Sequence, residues 1–112
     1  MTASLERTAV RLLLVEDDEV DRLACRRALA RQTDFPVELL EASSGREGIE
    51  LVRQRHPDLV LLDYHLPDVN GLEFLEALRH DSGEMPVPVM MLTGADSDSL
   101  QWFYVITGAA VA

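Results

Sequence analysis

Residues 12–15 (Leu-Leu-Leu-Val) and 59–62 (Leu-Val-Leu-Leu) are unbroken apolar runs, and each stops abruptly at an acid. A strand with one wet face alternates apolar and polar side chains, whereas a run without alternation suits a strand buried on both faces. The chain is thereby restricted to folds that cover a sheet above and below. Residues 87–92 form a similar run ending at Thr93, with Pro86 and Pro88 at its entry, where a ladder best tolerates proline. Residues 37–40, introduced by Pro36, predict one more strand.

The stretches between these runs carry helical spacing. Residues 19–31 place Val20, Leu23, Ala24, Ala28 and Leu29 on one side, with Arg22, Arg26, Arg27 and Arg31 expected to face water. Ser44 with Glu47 three residues on is a capping-box spacing, and Pro57 closes the helix it opens. Asn70 followed by Glu73 starts a further helix through about Arg79. Residues 97–107 read as a strand over 102–107 on their aromatic and β-branched content, or as a helix closed by Gly108; the strand–helix alternation leans to helix. The whole chain of 112 residues is then a single α/β domain, a doubly wound parallel sheet. In such sheets ligands bind outside the carboxyl ends of the strands.

Composition narrows the partners. There are 20 acidic against 10 basic residues, a net charge of -10, and every basic residue is arginine. Nucleic acid and anionic membrane surfaces are disfavoured, because both call for a basic face; a cation or a basic partner fits better. Residues 1–10 contain Glu6 and Arg7 and no apolar core, which predicts no signal peptide. The charge-free stretch 102–112 is shorter than the roughly 20 residues a membrane helix needs. The lone Cys25 is expected to be a small packed hydrophobe in a reduced, cytoplasmic setting, and no Cys/His cluster suggests zinc.

The strand ends carry the chemistry. Glu16 and Asp17 come off the first strand, Asp63 off the third and Thr93 off the fourth. Two like charges 4 Å apart repel by about 1 to 4 kcal/mol, depending on the surroundings. Crowded carboxylates therefore retain protons or gather a cation, and hard oxygen ligands with open positions suit Mg²⁺. Asp18, Glu19 and Asp21 are expected instead to complement a helix dipole. His56 and His80, near helix ends, are expected to be structural.

Three stretches resemble the receiver domain of two-component response regulators. They are residues 12–22 (Leu-Leu-Leu-Val-Glu-Asp-Asp-Glu-Val-Asp-Arg), residues 56–73 (from His56-Pro57-Asp58 through Asp63 to Asn70-Gly71-Leu72-Glu73) and residues 88–95 (Pro-Val-Met-Met-Leu-Thr-Gly-Ala). The resemblance covers residues 11 to about 110. It implies a flavodoxin-like sheet of strand order 2-1-3-4. By this resemblance Asp63 is the phosphoacceptor. Glu16, Asp17 and Asp63 hold Mg²⁺ together with the backbone carbonyl of His65. Thr93 is the switch hydroxyl, Gly94 leaves room for the donor, and Pro67 and Gly71 belong to the loop after the acceptor. The implied partner is a histidine kinase or a histidine phosphotransfer protein, with phosphoryl transfer to Asp63 self-catalysed and no outside substrate turned over.

The chain departs from the family pattern at one end. The family places a lysine at the end of a fifth strand, and this chain has none. The fifth strand and helix are expected to be missing or vestigial, with Val111 and Ala112 the first residues of that strand, as in a truncated receiver. An uncovered fourth strand would expose an edge for a homodimer, helped by Trp102–Tyr104. The alternative function is a degenerate receiver that acts as a phosphorylation-independent interaction module. An aspartate-nucleophile phosphohydrolase is disfavoured, because His65 occupies the position where that class carries a second aspartate.

Overall fold

The structure is a computed structural model that describes residues 9–32, 34–82, 86–96 and 99–105, with side chains for 9–31, 34–79 and 86–91. The elements run β1 (Val10–Val15), α1 (Glu19–Gln32), β2 (Val37–Ala42), α2 (Gly45–Arg55), β3 (Leu59–Asp63), α3 (Gly71–Ser82), β4 (Val89–Asp96) and β5 (Ser99–Val105). Strand order is β2-β1-β3-β4-β5. The first four strands are parallel, as expected, with Leu12 facing Leu39 and Leu59, and Asp63 facing Leu92.

Period-two alternation sends each buried strand's side chains to both faces. Leu13, Val15, Val60, Leu62, Val89 and Met91 join α2 and α3 residues such as Ile49, Val52, Phe74 and Leu78 in the larger core. Leu12, Leu14 and Leu61 meet Cys25 and Leu29 of α1 on the other face. The helices begin where their caps dictate. Asp18 Oδ1 accepts from the N–H groups of Val20 (2.8 Å) and Asp21 (3.1 Å). Ser44 Oγ accepts from Glu47 N–H at 3.1 Å. Asn70 and Glu73 cap each other reciprocally, both bonds at 2.9 Å. α2 ends at His56, whose left-handed φ of 48° turns the chain into Pro57.

Three expectations change. Residues 99–105 form a strand and not a helix, and β5 is antiparallel to β4, with Met90 facing Tyr104 and Leu92 facing Trp102. Only residues 97–98 separate the two strands, and a parallel return needs a crossover of about a dozen residues. Aromatic and β-branched residues then settle on the free ladder of β4. Among the described residues the parallel part of the sheet ends at β4, as expected, but β5 adds a hairpin arm to it, and the β4 edge expected to serve a homodimer is already paired. Gly108, Val111 and Ala112 lie outside the described residues. Finally, α1 turns part of its expected apolar side to solvent: Val20 is 74% and Leu23 37% exposed, while Leu29 and Cys25 pack as expected. Arg22, expected in water, turns inward with its side chain only 19% exposed.

Candidate functional site

β1 and β3 are neighbours in register, Val15 beside Leu62. The residues that follow these two rungs therefore leave the sheet side by side at its carboxyl edge. Glu16, Asp17 and Asp63 each bring a carboxylate oxygen within 4.8 Å of the others. Glu16 is buried, Asp63 half-buried and Asp17 exposed, so the cluster opens to solvent on one side. Glu16 N–H donates to the Ala42 carbonyl at 3.0 Å, which continues the β1–β2 ladder one residue past the strand.

Burial, then the hydrogen bond and negative charge of Asp63, push the Glu16 carboxyl up to about 8, although the Asp18 N–H donated to Glu16 Oε2 (3.2 Å) pulls the other way. Asp21 is also raised, first by partial burial and then by the charges of Asp18, Asp63 and Asp17. Carboxylates crowded in this way favour a cation among them. The donor set fits Mg²⁺: three hard carboxylates converge and one side stays open for water and a phosphoryl oxygen.

The loop after Asp63 is closely tied down. His65 N–H donates to Asp63 Oδ1 at 3.1 Å. An antiparallel bridge between His65 and Asn70 closes the loop on itself. The rings of Tyr64 and His65 meet edge to face, 5.2 Å between centroids. Gly71 must be glycine-sized, because a Cβ there would approach Met91 Cε and Tyr64 Cδ2 at 2.9 Å. Thr93 and Gly94 lie on β4 just past Leu92, the partner of Asp63, so their backbone reaches the same sheet edge. Their side-chain positions, and that of His80, fall outside the described ones. Cys25 is fully buried, and burial pushes its thiol up to about 11, in keeping with a packing role.

Two contributors were not legible as such. Asp68 spans from the loop to the start of α2, where its carboxylate accepts from Gly45 and Arg46 N–H, both at 3.0 Å. Partial burial would raise its pKa, but these hydrogen bonds prevail and hold it low. A side chain on Gly45 would overlap Val69, which shows how closely loop and helix fit. Arg22 donates through Nη1 to the Glu16 carbonyl at 2.9 Å. The only hint in the sequence was the four-residue spacing of Arg22 and Arg26, which places both against one acid, Glu41.

Comparison with known proteins agrees with this fold. Residues 12–110 match the family described as response regulator receiver domain. The chain is 36% identical over 87 residues to the transcriptional regulatory protein AfsQ1 of Streptomyces coelicolor, covering 78% of this chain and 36% of that protein. It is 35% identical to the polar-differentiation response regulator DivK of Brucella ovis, covering 73% of this chain and 64% of DivK. The chain thus spans well under half of AfsQ1 and somewhat less than two thirds of DivK. Among solved structures, the signal receiver domain of a NarL response regulator from Mycobacterium tuberculosis superposes with a TM-score of 0.67 at 28% identity, over 81% of this chain and 71% of that one. The MaeR response regulator bound to beryllium trifluoride superposes at 0.66 and 30% identity, over 80% of this chain and 70% of that one.

Proposed function

Because the chain belongs to the response regulator receiver domain family, we propose that it accepts a phosphoryl group on Asp63 with Mg²⁺ in a two-component phosphorelay. The observation that carries this reading is the convergence of Glu16, Asp17 and Asp63 within 4.8 Å at the carboxyl edge of the sheet. An Asp63 carboxylate oxygen attacks the phosphorus of a phosphohistidine on a histidine kinase or phosphotransfer protein. The P–N bond breaks as the P–O bond forms, and the imidazole departs with a proton from solvent. Mg²⁺, when bound, supplies neutralisation of the phosphoryl oxygens. Glu16, Asp17 and Asp63, with the His65 backbone carbonyl, would hold it, and Thr93 would supply the hydroxyl that follows the phosphoryl group. His65 N–H, already on Asp63 Oδ1, orients the nucleophile. The added charge and acceptor oxygens then bias the neighbouring loops.

The test is incubation with Mg²⁺ and acetyl phosphate followed by intact-mass measurement. A gain of one phosphoryl group in the wild type and none in Asp63→Asn is expected. The alternative is a receiver that has kept the fold as an interaction module only. A folded wild type with no mass gain would select that reading.

A further inference from the structure

We propose that Arg22 is a positioning residue for the acidic pocket, fixing the peptide plane that joins Glu16 to Asp17. The inference rests on the reading of that pocket as a Mg²⁺ site. The Glu16 N–H is tied to β2 through Ala42, but the next peptide unit lies beyond the ladder. Its oxygen is the Glu16 carbonyl, and Arg22 Nη1 holds that oxygen at 2.9 Å. A peptide unit is planar, so fixing its oxygen also fixes the direction in which the chain enters Asp17. The two carboxylates on either side of that plane are thereby aimed together.

Arg22 is itself held. Its Nε lies 3.2 Å from Glu41 Oε1. Arg26 grips the same carboxylate in a forked pair, Nη2 to Oε1 at 2.8 Å and Nε to Oε2 at 3.1 Å. The rigid fork of arginine can serve a carbonyl and a carboxylate at once, which a lysine ammonium does less specifically. Burial separates the two arginines: the Arg22 side chain is 19% exposed and the Arg26 side chain 49%. Arg26 braces Glu41 from the rim, and Arg22 transmits that order inward. Arg22 also brings positive charge to the backbone of a pocket whose side chains are all acidic.

The test is calorimetric titration of the full chain with MgCl₂, together with thermal midpoints measured without metal. Arg22→Gln should weaken Mg²⁺ binding by about 10-fold, the scale on which outer-shell groups act. Arg26→Gln should change it by less than about 2-fold while lowering the midpoint comparably, since it leaves the Glu16 contact in place. Arg22→Lys should recover part of the loss. If Arg22→Gln does not fold, Glu41→Gln stands in for it and should weaken binding several-fold. A folded Arg22→Gln or Glu41→Gln that binds within about 2-fold of wild type overturns the proposal, as does equal weakening by Arg26→Gln. A wild type that gives no binding at all overturns the Mg²⁺ site itself, and this inference with it.

Discussion

At the amino-terminal end of β1, Arg11 is enclosed by partners. Its N–H donates to Asp58 Oδ2 at 2.7 Å and its carbonyl accepts from Asp58 N–H at 2.7 Å. Its guanidinium reaches Glu38 at 3.3 Å and the Arg55 carbonyl at 2.5 Å, while Arg55 returns to Glu38 at 3.2 Å. At the carboxyl end of the same strand, Glu16 and Asp17 meet Asp63, and charge is crowded where it was balanced before. The two ends share one strand and its neighbours, so strand pairing alone does not explain the contrast. Charge that finds its opposite holds the sheet together; charge set against its own kind leaves a place for something to arrive.

The largest test is made at the crowded end. Asp63→Asn should abolish phosphoryl acceptance from acetyl phosphate, read by intact mass, while leaving the metal-free thermal midpoint equal to or above that of wild type. A large fall in that midpoint would mean that Asp63 is structural and the contrast false. At the balanced end, Asp58→Ala should cost about 1.5–3 kcal/mol in a urea titration, the scale for losing a charged acceptor. Phosphoryl acceptance should survive it.

The third test uses pH. Glu16 is raised from 4.5 to about 8 in the folded protein. Between those values the folded state keeps a proton that the unfolded chain has released, so stability falls as pH rises through that window. Without Mg²⁺ the midpoint should drop on the order of 5 °C per pH unit within that window, as about 1 kcal/mol would in a domain of this size. Glu16→Gln should flatten the curve, and an unchanged slope would remove Glu16 as its source. The smallest effect is expected far from both ends. Arg53 and Glu50 pair at 3.2 Å on the open surface of α2, and Glu50→Gln should shift stability by less than about 0.5 kcal/mol. A larger shift would show that exposed pairs count here, and would weaken the case for a special end.

Local signals were the legible ones. Ser44 with Glu47 and Asn70 with Glu73 cap the helices that their spacing predicts, because a cap is decided within four residues. Asp63 and the Glu16–Asp17 pair could be placed at one edge because each follows a strand buried on both faces. What escaped depended on distant partners. Val20 and Leu23 looked like part of the inward side of α1 and are exposed, whereas Leu29 and Cys25, also expected to pack, do so on the sheet. Apolar spacing in α1 allows two overlapping stripes, and Arg22 reaching Glu41 and the Glu16 carbonyl goes with the one actually buried. The pairing of residues 99–105 depended on the vacant ladder of β4, which no window of sequence contains.

The proton that Glu16 keeps near neutral pH makes the acidic pocket an exchanger. A divalent cation entering it must expel that proton, so below pH 8 its apparent affinity rises with pH, by as much as about tenfold per unit. The released proton passes to the buffer, and the heat of binding then varies with the buffer's own enthalpy of ionisation. Acidification would loosen the cation by returning a proton to Glu16, one of its proposed ligands, and the availability of Asp63 would follow the proton as closely as the metal.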